Sequence, residues 1–161
     1  MRLLTRTLLL CSIAAAAGIA AAGTVNVSFN APHYLDAGVT AQERQATFDA
    51  LARHLQALGQ RLLPASQVLD VEVLDVDLAG TLRPSRRSVS MIRVLRNGPD
   101  WPRIKLRYTL QADGKLLRSG EEWVSDMSYA VGAGGPGDSV PLYYEKRMLR
   151  GWFKERFASP G

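Results

Sequence analysis

The 161 residues carry one cysteine, two histidines and a net charge of +5, from 20 Lys and Arg against 15 Asp and Glu. The lone cysteine, Cys11, sits in an N-terminal apolar stretch, so the remainder offers no disulfide, thiolate metal ligand or cysteine nucleophile. So mild a basic excess also speaks against a dedicated nucleic-acid binder.

Residues 1–22, MRLLTRTLLLCSIAAAAGIAAA, have the three parts of a secretory signal. Arg2 and Arg6 give the positive start, Leu8 to Ile19 the apolar centre, and Ala20, Ala21 and Ala22 the small residues a signal peptidase needs. Cleavage is expected after Ala22. A retained anchor is the competing reading, but the strongly apolar part is shorter than the roughly 20 residues a spanning helix requires. Cys11 follows three leucines, whereas a lipidated cysteine follows a small residue. The expectation is thus a periplasmic or secreted chain, with no transmembrane helix after cleavage and a single domain over 23–161. Loss of two arginines lowers its charge to +3.

Val25, Val27 and Phe29 alternate with Asn26 and Ser28, as in a half-buried strand. Thr40 followed by Glu43 forms a capping box, and Phe48, Leu51, Leu55, Leu58 and Leu62 draw an apolar stripe along a helix that Pro64 ends. Val68 to Leu78 reads as a strand whose apolar phase changes. Leu69, Val71 and Val73 share one face and Leu74, Val76 and Leu78 the other, so either both faces are covered or a bulge lies near Leu74. A loop containing Gly80 and Pro84 leads to a strand at about Ser88 to Leu95, then a turn at Asn97-Gly98-Pro99.

Ile104, Leu106, Tyr108 and Leu110 alternate with Arg103, Lys105, Arg107 and Thr109, which predicts a strand with one wet face. Asp113-Gly114 predicts a tight hairpin. Folding about it pairs Leu117 with Leu110, Glu122 with Lys105 and Trp123 with Ile104. That register would bury Glu121 beside Leu106, which requires a bulge at Gly120 or a compensating partner. The glycines between Gly132 and Gly137 lack the Lys-Ser/Thr ending of a phosphate loop and read as a linker. A last helix is expected from Pro141, capped by Asp138 or Ser139, with Leu142, Leu149, Trp152, Phe153 and Phe157 facing the core. The predicted fold is two-layer α+β: a mainly antiparallel sheet of four to five strands with both helices on one face.

Asp75 and Asp77 end an apolar strand just before Gly80-Thr81, which suggests a phosphoryl-transfer or metal site. In haloacid-dehalogenase-type enzymes the second aspartate runs directly into Gly-Thr; here Leu78 and Ala79 intervene. A calcium loop starting at Asp75 would place Ala79 and Arg86 where oxygen ligands are needed. The plainer reading is a bend whose carboxylates accept hydrogen bonds from turn amides or arginines. His33, His54 and Asp36 have no zinc spacing, Glu121 and Glu122 point to opposite strand faces, and no Gly-x-Ser-x-Gly elbow occurs.

Four segments carry a resemblance: DVDLAG at Asp75 to Gly80, WPRIKLRY at Trp101 to Tyr108, GEEWVSDMSY at Gly120 to Tyr129 and LYYEKRMLRGWF at Leu142 to Phe153. In this order the chain resembles the bacterial family known as domain of unknown function 3016. The resemblance implies an exported protein, and supplies no activity, cofactor or catalytic residue to carry over.

The functional expectation is a non-catalytic periplasmic binding or envelope-assembly module without a cofactor. Its binding candidates are the arginine loop, Arg83, Arg86 and Arg87, and the open sheet face, Arg103, Lys105 and Arg107, meeting an envelope protein or anionic envelope component. The alternative is a metal-dependent hydrolase using Asp75 and Asp77. Tyr143, Tyr144 and Trp152 either pack in the core or form a dimer face.

Overall fold

The computed structural model describes residues 22–31, 34–85, 91–95, 100–131 and 140–158. The signal-like segment up to Ala21, His33, Arg86, Arg87, the Asn97-Gly98-Pro99 turn, the Gly132 to Gly137 run and the caps expected at Asp138 or Ser139 lie outside them.

In chain order the elements are β1 (Thr24–Phe29), α1 (Ala41–Leu62), β2 (Gln67–Asp77), β3 (Thr81–Pro84), β4 (Met91–Val94), β5 (Arg103–Ala112), β6 (Lys115–Ser125) and α2 (Tyr143–Phe157). The main sheet has the order β1-β2-β5-β6, with β1 parallel to β2 and the other pairs antiparallel. Both helices contribute to one core with the inward side chains of the sheet: Leu51, Leu55 and Leu58 from α1, Leu149, Trp152 and Phe153 from α2, and Leu69, Val71, Ile104 and Leu106 from below. This is the α+β arrangement expected. Neither helix is long and apolar enough to cross a membrane.

The start of α1 follows from its first residues. Thr40 Oγ1 accepts from the Glu43 amide at 3.1 Å, while Glu43 Oε2 accepts from the Thr40 amide at 3.0 Å. Two donors that the helix cannot satisfy internally are paired reciprocally. Thr40→Ala should therefore lower the unfolding free energy by about 1 kcal/mol in urea titration. An unchanged midpoint would show that the box contributes nothing.

Two sheet irregularities explain the phase puzzles. In β2 the register against β5 slips between Val73 and Asp75, so Leu74 is the extra residue and Val76 returns to the buried face. The hairpin turn has positive φ at both Asp113 and Gly114, as its sequence predicts. The register beyond it differs from the expected one. Near the turn Gln111 pairs with Leu116, but from Leu110 onward the pairs are Leu110 with Arg118, Lys105 with Trp123 and Ile104 with Val124.

The bulge is thus at Leu117 instead of Gly120, and it moves Glu121 to the wet face. Gly120 has another reason to be glycine: a Cβ there would lie 2.8 Å from the Tyr108 hydroxyl, whose ring crosses beneath it. Glu122 faces inward, where Trp152 Nε1 donates to it at 3.0 Å and Arg156 binds it through two nitrogens at 3.1 and 2.7 Å. The cost of turning a carboxylate toward the core is thereby offset.

Two further expectations need correction. The strand expected at Ser88 to Leu95 is β4, which pairs with β3 in a separate two-stranded ribbon and does not join the main sheet. Too few residues separate Asp77 from Thr81 to cross the sheet, so the chain turns out of it. α2 starts at Tyr143, with Leu142 as an N-cap at φ +56° and no side-chain cap. Pro141 therefore precedes the helix and is not part of its first turn.

Candidate functional site

The end of β2 is where the aspartates lie. Asp75 Oδ1 accepts from the amides of Leu35 and Val76, each at 2.8 Å. Asp77 Oδ2 accepts from Arg103 Nε at 2.8 Å. Between them, the segment before α1 runs parallel to β2: the Asp36 amide donates to Val76 O at 2.8 Å and the Leu78 amide to Asp36 O at 3.2 Å. These two carboxylates fasten a bend, one through backbone amides and the other through an arginine.

The turn that follows is held from three sides. Glu145, buried in the first turn of α2, accepts from the Ala79 amide at 2.7 Å, and burial raises its pKa above the ordinary carboxyl value. Gly80, at φ +82°, donates to Asp100 O at 2.8 Å, and a Cβ there would lie 2.6 Å from Val94 O, so only glycine fits. Thr81 Oγ1 donates to Asp100 Oδ2 at 2.5 Å. Arg93 of β4 reaches back to Asp36 with two bonds of 2.8 and 2.9 Å, tying the ribbon to the segment before α1.

A cleft of about 940 Å³ opens between that segment and the ribbon. Its wall includes Leu35, Val39, Phe48, Leu82 and Met91, with Asp36, Asp77, Asp100, Arg44 and Arg103 among them. All three aspartates accept bonds from the residues just described. Leu35, Val39 and Met91 are exposed. Among the described residues, the Arg44 guanidinium bonds only a carbonyl, that of Val39, at 3.3 Å. Arg83, exposed on β3, has no carboxylate partner among the described residues.

The open face of the sheet does assemble Arg103, Lys105 and Arg107, but as a ladder of ion pairs. Arg103 pairs with Asp77 at 2.8 Å and lies over the Trp123 ring at 5.6 Å; Lys105 pairs with Glu121 at 2.8 Å. Arg107 bridges Glu72 at 2.9 Å and Glu121 at 2.8 Å. Hydrogen bonds from Lys105 and Arg107 hold the Glu121 carboxyl below its usual range. These cations therefore meet solvent already neutralised, each pair contributing little on its own.

His54 is not brought near the aspartates. It lies between the helices, donating from Nε2 to Lys146 O at 2.8 Å, and burial lowers its pKa. Among the described residues, no three His, Cys, Asp or Glu side chains are grouped to hold a metal ion. Sequence reasoning weighed Asp36 only as a zinc ligand and did not foresee its pairing with Arg93, and it missed Asp100 and Glu145 altogether; these partners lie 57, 19 and 66 residues apart and leave no local pattern.

Searches of curated proteins and of solved structures returned no match. The family model described as "Protein of unknown function (DUF3016)" matches residues 23–155, which span nearly all of the fold just described. The chain belongs to the DUF3016 family.

Proposed function

We propose that this protein is an exported, non-catalytic binding module of the bacterial envelope, and that it holds an extended segment of a partner protein in the cleft beside the β3–β4 ribbon. The observation that supports this reading is the imbalance of the cleft wall. Leu35, Val39 and Met91 are exposed there, the aspartates already accept bonds, and Arg44 retains unspent charge, as does exposed Arg83, which follows the lining residue Leu82 on β3. An apolar sequence flanked by acidic residues complements such a wall, with the apolar side chains supplying affinity and the charges orientation.

Arg86 and Arg87 follow Arg83 in the same connection and extend its positive character in sequence. Arg103, Lys105 and Arg107 are committed to the sheet's own carboxylates, so the reading moves the binding surface from the open face to the cleft. The envelope location rests on the signal-like segment at residues 1–22.

A photo-crosslinking residue placed at Met91 or Leu35 in the full chain, expressed in a bacterial host, tests the cleft. It should give one protein adduct of defined mass in the periplasmic fraction, while the same probe at Asn26 on the open sheet face should not. Arg83→Glu combined with Val39→Asp should cut adduct yield about tenfold or more, the scale of one lost anchor contact. Equal adducts at Asn26, no adduct at all, or recovery only with anionic vesicles in flotation would overturn the reading.

A further inference from the structure

α2 carries one residue that packing within the chain does not explain. Gly151 lies in the interior of Tyr143–Phe157, is exposed, and a Cβ built there would meet no atom within 4 Å. Glycine weakens a helix relative to alanine, so an exposed one without a close neighbour costs α2 stability for no gain inside the fold. It lines a groove of about 390 Å³ between α2 and the edge strand β6. Met148, Trp152 and Glu155 line the helix side and Trp123, Val124 and Ser125 the strand side.

The strand side of this groove offers backbone. β6 ends the sheet and has no strand beside it among the described residues. Past the bulge at Leu117 its register runs unbroken from Arg118 to Ser125, so this part presents a regular row of unpaired N–H and C=O groups along the groove. Free charge often guards such an edge, but here it is neutralised within the chain. Glu121 pairs with Lys105 and Arg107, Glu122 with Arg156 and the Trp152 indole, and Asp126 with Arg147. Of the charged side chains lining the groove, only the exposed Glu155 makes no hydrogen bond or ion pair among the described residues.

We infer that this groove binds an extended peptide segment of a partner protein, which joins β6 as a further strand of the sheet. A row of alternating donors and acceptors is complemented by another peptide backbone. Side chains of the added strand that point toward the helical layer pass Gly151, where the missing Cβ leaves room for one, and Met148 and Trp152 make that position apolar. The paired charges leave no partner for an ionic side chain inside the groove, so the segment is uncharged there and carries a Lys or Arg only at the Glu155 rim. Backbone pairing supplies affinity, and the apolar position and the cation supply specificity. The groove shares no lining residue with the cleft beside the ribbon, so this inference does not depend on that site.

Panning phage-displayed random heptapeptides over protein purified after expression of the full chain tests this. Enriched peptides should be rich in β-branched and apolar residues and carry one Lys or Arg. Binding of the synthetic peptide should weaken about tenfold with Gly151→Ala and further with Gly151→Leu, even though Gly151→Ala raises the melting temperature of the free protein by about 3 °C. Glu155→Gln should weaken it about threefold, the scale of one exposed ion pair. N-methylation of alternate peptide amides should abolish binding, because it removes the donors that face β6. Arg83→Glu combined with Val39→Asp, which alters the cleft, should leave the affinity unchanged. The inference is overturned by a screen that enriches nothing or enriches only cleft ligands, by affinity indifferent to Gly151→Leu, by equal binding after N-methylation, as for a helical ligand, or by a self-associated chain that excludes the peptide.

Discussion

Gly59→Ala should destabilise this protein by about 2 kcal/mol, although helix propensity alone predicts a gain of about 1 kcal/mol. Gly59 lies in the interior of α1 and is buried against β1. A Cβ built there overlaps Val25 Cγ2 and lies 3.3 Å from Val25 Cβ. Val25 is itself core, 5% exposed, and as a β-branched side chain on a strand it has little rotamer freedom with which to retreat.

The overlap would lift the end of α1 from the edge of the sheet, where the Gly23 amide also bonds Leu63 O at 3.1 Å. Val25→Ala removes the obstructing methyl groups, so the double variant should be more stable than the sum of the two single losses, by about 1–2 kcal/mol of favourable coupling. Chemical denaturation of the four proteins measures this. A Gly59→Ala protein as stable as the parent would mean that α1 and β1 do not approach closely at this point.

How much of this was legible in the sequence depends on the reach of each interaction. The alternation from Arg103 to Leu110, the stripe from Leu51 to Leu58 and the Thr40–Glu43 box are local patterns, and each corresponds to an observed element. The change of phase at Leu74 was equally visible, because a bulge inverts the periodicity of the residues after it. The bulge at Leu117 was not, since Leu116, Leu117 and Arg118 are all exposed and an exposed run has no burial period to invert.

Long-range pairs were hidden for a different reason. The sheet cations were readable as a positive stripe, but their partners Glu72, Asp77 and Glu121 come from neighbouring strands, and only the register shows that the stripe is neutralised. A positive run in sequence is thus a statement about composition until cross-strand neighbours are known. The ribbon follows the same logic: β3 and β4 are four residues each, and an isolated pair that short is marginal unless tertiary contacts such as Arg93 with Asp36 anchor it.

The second large effect concerns Glu145, whose carboxylate holds the corner between β2 and the ribbon. It is 3% exposed, and burial is the main cause that raises its pKa; the Ala79 amide, its own amide and the charges of Arg93 and Lys146 act against that shift without cancelling it. Below the ordinary carboxyl value of about 4.3 the group is protonated whether the chain is folded or not. As pH rises the unfolded chain ionises first, so the folded state progressively loses stability until the buried group ionises too.

Glu145→Gln keeps an oxygen for the Ala79 amide and carries no charge. It should match the parent at pH 4, exceed it at pH 7, and diverge between those values. His54 runs the other way, since burial lowers its pKa and its contribution is lost as pH falls below about 6.5; it is common to both proteins and cancels in their difference. Glu145→Ala, by contrast, strands the Ala79 amide and should cost about 1–3 kcal/mol even at pH 4. Urea titrations of the three proteins across this pH range decide the matter: a Gln variant weaker than the parent at pH 7, or a gap that does not change with pH, would show that the carboxylate at this corner is needed in its charged form.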